Sequence, residues 1–368
     1  ASGLQVIEIS TPAFPEIVGA VALPDFAWGV AVNGTHAYVT DRSGDLQVID
    51  ISVPELPVLL GAIGLPSSAH GLIIVGDYLL VADHASGLQV IDISIPDAPA
   101  IVGGVDTPGF AGRVAVAGNL AYVADGLDGL QVIDISNKES PVIVGSVETP
   151  AFARGGAVTG NYAYVSIADS GLQVIDISVP AVPTIVGAVD TPGAASSVVV
   201  AGDYAYVSDG YSGLQVIDIL VPELPVLVGG MDTPDFASVV VATGNYTYVC
   251  NGTFGLQVGS QCSSATDVGD NRGGIPSADI HLASYPNPFN PRTTIVFTLE
   301  RGERANVGVY DSKGRRVTIL ADQAFTAGEH SLVWNGTDLT GRSMPSGSYF
   351  VRLETESTVE AQKVMMVR

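Results

Sequence analysis

Trp28, His70 and Arg154 occupy corresponding places in a 42-residue repeat, and Arg113 stands one place further along its own copy. An indole, an imidazole and two guanidiniums at one point of a repeat could line a pocket for a ligand. The aligned residues of the other copies are Gly112, Ser196 and Ser238, so the same variation is also what drift at a surface position leaves behind. Catalytic chemistry has less to stand on. His36, His70, His84, His281 and His330 show no His-x-x-x-His or His-Glu-x-x-His spacing, and there is no Gly-x-Ser-x-Gly elbow or phosphate-binding loop. Asp50, Asp92, Asp134, Asp176 and Asp218 recur in five of the seven copies, and a glutamine series from Gln5 to Gln257 in all of them. Residues kept identical around a repeat are expected to hold backbone donors in turns rather than to serve as acids. We therefore expect no enzyme, no metal and no cofactor. An Asp267, Asp270 and Asn271 trio offers oxygens to calcium but lacks the spacing and the bidentate glutamate of an EF-hand.

The elements that must position these residues are strands. Gly3-Leu4-Gln5-Val6-Ile7 recurs at Leu46, Leu88, Leu130, Leu172, Leu214 and Leu256. Around it the unit repeats, as in Gly129-Leu130-Gln131-Val132-Ile133-Asp134-Ile135-Ser136, then Pro141-Val142-Ile143-Val144-Gly145, then Gly160-Asn161-Tyr162-Ala163-Tyr164-Val165. Each unit holds four short strand-like segments broken by Gly, Pro, Asn and Asp. Such a four-stranded sheet leaves two apolar faces that only neighbouring sheets can cover. The predicted fold is all-β: a six-bladed β-propeller over residues 1–258, a linker over 259–282, and a C-terminal domain over 283–368. In a propeller the varied positions border the mouth of the central channel.

Charge narrows the partners. Residues 1–262 carry Arg42, Arg113, Lys138 and Arg154 against 26 carboxylates, net −22 of the whole chain's −23. A body this acidic repels phosphate backbones, which argues against nucleic acid and leaves basic surfaces or divalent cations. Charged residues are 14%, below the roughly 25% of an ordinary domain, yet no apolar run reaches the length of about 20 residues that spans a bilayer. Ala1 begins inside a strand motif, so a mature, exported product is expected.

The strand count poses a puzzle. Three strand types occur six times, but the Gly-Leu-Gln-Val type occurs seven times, one too many for six blades. A regular hairpin through the last copy would carry Cys262 far from Cys250, at about 3.3 Å per residue, whereas a disulfide needs Cα atoms within about 7 Å. The favoured expectation is that Cys250–Cys262 forms, the copy at Leu256 is displaced, and the first strand, with Leu4, Gln5, Val6, Ile7 and Ile9, closes the ring within its own chain or a neighbour's.

The repeat unit closely resembles the LVIVD-repeat family of bacterial surface propellers. That resemblance covers residues 1–258 and implies fold and exterior location, with no shared catalytic activity. Past the linker, period-two segments such as Ile295, Phe297 and Leu299 suggest about seven strands of an immunoglobulin-like sandwich. Tyr285-Pro286-Asn287-Pro288-Phe289-Asn290-Pro291, Val309-Tyr310-Asp311, Gly328-Glu329-His330, Trp334-Asn335-Gly336, Ser346-Gly347-Ser348-Tyr349-Phe350 and the terminal Lys363 to Arg368 resemble the C-terminal sorting domain of type IX secretion, itself similar to the hook-cap type of module. The implication is export to the surface of a Gram-negative-type bacterium, with the outer-membrane secretion machinery as a partner. The expected function is a secreted structural protein that self-associates into a filament or layer; the alternative is a monomeric adhesin or ligand-binding propeller that meets surface glycans or proteins.

Overall fold

The 42-residue period folds into a series of antiparallel sheets whose phase differs from that of the sequence unit. Each sheet begins at the inner strand and ends with the Pro-led strand, so one sequence unit contributes two strands to each of two sheets. The computed structural model describes residues 3–12, 14–261, 282–285, 289–299, 301–311, 315–355 and 359–367, in two units, Ala1–Val268 and Gly269–Arg368.

The chain starts with a hairpin, β1 (Gly3–Glu8) and β2 (Glu16–Ala22). Five four-stranded sheets follow. They are β3 (Ala27–Asn33), β4 (His36–Asp41), β5 (Asp45–Asp50) and β6 (Val58–Gly64); β7 (Gly71–Val75), β8 (Tyr78–Ala82), β9 (Leu88–Asp92) and β10 (Ala100–Val105); β11 (Arg113–Ala117), β12 (Leu120–Ala124), β13 (Leu130–Asp134) and β14 (Val142–Val147); β15 (Ala153–Thr159), β16 (Tyr162–Ile167), β17 (Gly171–Asp176) and β18 (Thr184–Val189); β19 (Ser197–Ala201), β20 (Tyr204–Ser208), β21 (Leu214–Asp218) and β22 (Val226–Met231). A three-stranded sheet of β23 (Ala237–Thr243), β24 (Tyr246–Asn251) and β25 (Leu256–Ser260) completes the unit. First strands lie side by side from β3 through β7, β11, β15 and β19 to β23. Among the described residues the same packing is not repeated between β23 and β3.

Side-chain alternation explains the stacking. In β12 and its equivalents one set of residues packs on the preceding sheet and the other on the following one, so these strands are buried on both faces. The repeated carboxylates do hold backbone: Asp50, Asp92, Asp134, Asp176 and Asp218 accept from the amides of Ser52, Ser94, Ser136, Ser178 and Leu220 at 2.7–2.9 Å. A second, buried series, Asp83, Asp125 and Asp209, ties the loop entering three of the sheets to the end of the second strand. Asp125 accepts from the Thr107 hydroxyl at 2.6 Å and the Gly109 amide at 2.9 Å; Asp209 does the same with Thr191 and Gly193.

Asp83 is the weak member of that series. Leu65 stands where Thr107 stands in the next copy, so Asp83 accepts only from the Ser67 amide and its Oδ1 is buried without a partner. Burial lifts its pKa to about 6, against the small lowering by Ser67. A carboxyl whose folded pKa lies above its unfolded value costs stability above the folded pKa, and the cost fades as pH falls toward 4. Asp83→Asn keeps an acceptor for Ser67 and removes the charge. We expect it to raise stability at pH 7 by about 2 kcal/mol, with the gain nearly gone by about pH 3.5, below the unfolded pKa, as read from urea midpoints at the two pH values.

Two expectations are overturned. The copy at Leu256 is not displaced: β25 pairs regularly with β24, Cys250 opposite Leu256 and Tyr246 opposite Ser260. Among the described residues the first strand, with Leu4, Gln5, Val6 and Ile7, pairs only with β2, and Ile9 lies beyond its end. Cys250 is a free thiol. Because Gln261 donates to the Asn245 carbonyl, the chain leaves β25 at the end of the hairpin remote from Cys250, so the expected bond to Cys262 is not made. Cys262 itself lies outside the described residues, as do Asp267, Asp270, Asn271, Pro286, Asn287, Pro288 and Arg368.

In the second unit, β26 (Leu282–Tyr285), β27 (Thr293–Leu299) and β30 (Gly328–Trp334) form one sheet, and β29 (Arg316–Phe325), β28 (Glu303–Asp311), β31 (Gly347–Thr355) and β32 (Val359–Met366) the other. One core of Ile295, Phe297, Val307, Val309, Trp334, Val351, Leu353 and Val364 serves both. Phe289 ties the start of this unit to its last strand: its amide donates to the Met365 carbonyl and its carbonyl accepts from the Val367 amide, each at 2.9 Å. Asn290 and Pro291 follow it, exposed, and Lys363 lies in β32.

Candidate functional site

The first strands of six sheets converge on one cavity of about 540 Å³. Its wall contains all four residues singled out from the repeat: Trp28 in β3, His70 just before β7, Arg113 opening β11, and Arg154 in β15. Phe152, Ser196 and Ser238 complete its chemistry. Among the described residues no carboxylate lines it, although residues 1–262 carry 26.

Both arginines are without partners. Among the described residues neither guanidinium takes part in an ion pair or hydrogen bond, and burial draws Arg113 below its usual value. Its side chain crosses Gly155, where a Cβ would meet Arg113 Cδ and the Ser196 carbonyl at 3.1 Å each. Glycine at 155 thus clears the path of the guanidinium across the mouth, where its charge reaches the Cys250 thiol. An unpaired, partly desolvated cation is costly to hold in a fold.

Aromatic rings run along one side. Trp28 meets His70 edge-on at 4.0 Å, His70 lies 5.5 Å from His84, and His84 stacks on Phe110 at 4.5 Å. Burial, His84 and Arg113 together lower the His70 pKa to about 4, so its ring is neutral at pH 7.

Sequence reasoning missed His84, Phe110 and Phe152. The signal for the phenylalanines was present, because Phe26, Phe110, Phe152 and Phe236 recur at one repeat position. His84 is more telling. It has φ +45° and bridges Ala111 as Gly126 bridges Ala153 and Gly210 bridges Ala237, so an imidazole has been placed where the repeat uses glycine. Left-handed backbone costs a non-glycine residue about 1–2 kcal/mol, and such strain gathers at functional sites. We expect His84→Gly to raise stability by about 1 kcal/mol in chemical denaturation, and to weaken whatever the cavity binds.

Among the described residues no group of three or more His, Cys, Asp and Glu is placed to hold a metal ion, and no helix is long and apolar enough to cross a membrane. The model of the LVIVD repeat matches residues 26–63, 66–107, 108–149, 153–191 and 192–233, together more than half of the chain, and that of the FlgD Ig-like domain matches 291–358. No curated protein matches. A chain of the mitotic checkpoint complex is 10% identical over 70% of this chain and 82% of its own, with a TM-score of 0.58. The computationally designed Ika8 protein is 13% identical over 92% and 96%, with a TM-score of 0.50. PorZ, a surface component of the type IX secretion system of Porphyromonas gingivalis, is 13% identical over 93% and 51%, with a TM-score of 0.49, too slight to carry a role across. The first two likenesses speak to the β-propeller fold and nothing further.

Proposed function

The chain belongs to the LVIVD repeat family, and on that premise we propose that it is a non-catalytic recognition protein of the cell exterior, a six-bladed propeller whose channel mouth binds an acidic sugar. The observation that carries this reading is the pair of guanidiniums, Arg113 and Arg154, that have no partner among the described residues, in a cavity those residues line without a carboxylate although residues 1–262 carry net charge −22. Arginine presents a planar fork that suits a carboxylate. The edges and faces of Trp28, His70 and Phe152 suit the C–H face of a pyranose, and Ser196 and Ser238 supply hydroxyls for its polar rim. The sixth blade is assigned to the sheet β23–β25, and its Ser238 and Val239 share the cavity with Ala27 and Trp28 of the first.

The C-terminal unit fits an export and attachment role. Its support is the FlgD Ig-like match and the motif residues from Phe289 to Pro291 and at Lys363, with the outer-membrane secretion machinery as the partner that would read them.

Titration with a hexuronate oligosaccharide and with its neutral parent sugar tests the binding reading. Trp28 is exposed at the mouth and Trp334 is buried in the other unit, so quenching reports on the cavity. Saturable quenching by the uronate alone is expected; equal response to both sugars, or none to either, refutes the assignment.

A further inference from the structure

We infer that Arg42 and Phe26 form a second subsite at the lip of the cavity, which holds the next acidic residue of the ligand, so that the ligand is a chain of uronates rather than a single sugar. This inference rests on the acidic-sugar reading of the cavity and extends it.

Of the four basic residues in 1–262, three stand on the side where first strands begin and second strands end. Arg113 and Arg154 line the cavity, and Arg42 opens the loop between β4 and β5. Backbone ties that loop to the mouth: Ala27, in the cavity wall, is paired with Asp41, and the Arg42 amide donates to the Phe26 carbonyl at 2.9 Å. Phe26 precedes Trp28 of the wall by two residues, roughly 6.6 Å along a strand, a step on the scale of one pyranose.

The repeat marks Arg42 as a departure. Its counterparts are His84, Gly126, Ala168, Gly210 and Gly252, so no other copy places a guanidinium there. Three of those copies close the loop on glycine, so the fold does not require a side chain at this position. The two large occupants, Arg42 and His84, fall in the first and second four-stranded sheets, the ones that bring Trp28 and His70 to the cavity.

The setting of Arg42 suits a carboxylate. Its guanidinium carbon lies 5.0 Å from the centre of the Phe26 ring, within cation–π range, and its Nε lies 3.5 Å from Asp25 Oδ2. Asp25 is anchored in turn, its Oδ1 accepting from the Phe26 amide at 2.8 Å. Ring and carboxylate thus hold the guanidinium in place, yet among the described residues none of its five donors makes a hydrogen bond. The pair with Asp25 is open to solvent, and such pairs contribute little, so an incoming carboxylate takes the planar fork at small cost. Asp41 does not compete, because it is buried and its oxygens accept from Ser43, Gln47 and the Asp45 amide. Phe26 is half exposed and offers ring surface to the C–H face of a sugar, as Trp28 does in the wall. The lip therefore repeats the combination of aromatic ring and guanidinium found inside.

Titration calorimetry of the full chain with galacturonic acid and with trigalacturonic acid reads the second subsite. The trimer is expected to bind about tenfold tighter than the monomer, the weight of one charge-assisted hydrogen bond. Arg42→Gln should erase that gain and leave the monomer's affinity and the melting temperature as they were. Arg42→Lys, which keeps the charge and loses the fork, should retain part of it. Equal affinity of the unmodified chain for both ligands, or a gain that survives Arg42→Gln, overturns the subsite and leaves the cavity reading standing. Tyr211 is exposed and meets Phe236 edge-on at 5.2 Å, two residues before Ser238 of the wall; a gain removed by Tyr211→Ala and kept by Arg42→Gln sends the chain across the serine side and overturns the subsite as well. Binding of neither ligand refutes the cavity assignment, and the subsite falls with it.

Discussion

Replacing Arg113 and Arg154 together with glutamine is expected to abolish uronate binding while leaving the unfolding transition where it was. A hydrogen bond to a charged group contributes about 1.5–3 kcal/mol, and a bidentate arginine–carboxylate pair sits at the upper end. Each single variant should therefore weaken binding by one to two orders of magnitude at about 1.4 kcal/mol per tenfold. Folding has little to lose, since neither guanidinium has a partner among the described residues and Arg113 is held against the cost of burial. Titration calorimetry beside thermal denaturation separates the two quantities. A double variant that binds as before removes the arginines from the site; one that unfolds early makes them structural. Arg113→Lys should fall between, because it keeps the charge and loses the fork.

Binding should also depend on pH in one direction. His70, faced by Trp28, His84 and Arg113, is neutral above about pH 4 in the free protein. A bound carboxylate stabilises the protonated ring and raises that value, so complex formation takes up a proton. Affinity is then flat at neutral pH and rises as pH falls through the raised value, until the ligand itself is protonated. His70→Gln should remove that rise and leave the neutral-pH affinity near its original value.

The second large effect concerns the C-terminal unit. Phe289→Ala is expected to lower its melting temperature by more than about 10 °C and to leave the propeller transition unmoved. Phe289 is 2% exposed, lies 5.2 Å from the Trp334 ring, and is the one described residue of the Tyr-Pro-Asn-Pro-Phe run in the core. Truncating a buried phenylalanine costs about 3–5 kcal/mol, a large share of the 5–15 kcal/mol that holds a domain together. Calorimetry should show one of two transitions shifted, with Trp334 emission following it. Asn290→Ala, at the exposed next position, should change neither transition. If the motif is read during export, that variant impairs secretion with stability intact. Normal secretion of Asn290→Ala would leave Phe289 a packing residue and nothing more.

Much of this protein is local and was therefore legible. The strands of the repeat pair with neighbours a few residues away, through Gly-Asn and Gly-Asp turns, so period and alternation together predict them. Trp28, His70, Arg113 and Arg154 stood out because a repeat exposes any departure from itself, and the fold brings them to one cavity. His84 did not stand out, because composition does not reveal that a histidine occupies a left-handed position. Asp83 passed as one of a series until its missing hydroxyl partner was traced to Leu65.

What sequence alone could not decide was the boundary. Leu4-Gln5-Val6 and Leu256-Gln257-Val258 are the same three residues competing for one place beside β24, and no local preference separates them. The outcome is set by contacts between segments about 250 residues apart and by which apolar faces are already covered. Cys250 and Cys262 misled for the same reason: twelve positions of separation in sequence say nothing about distance until the strand between them is known to be extended. Regular blades follow from short-range chemistry, whereas the way the array ends depends on packing between its two extremes.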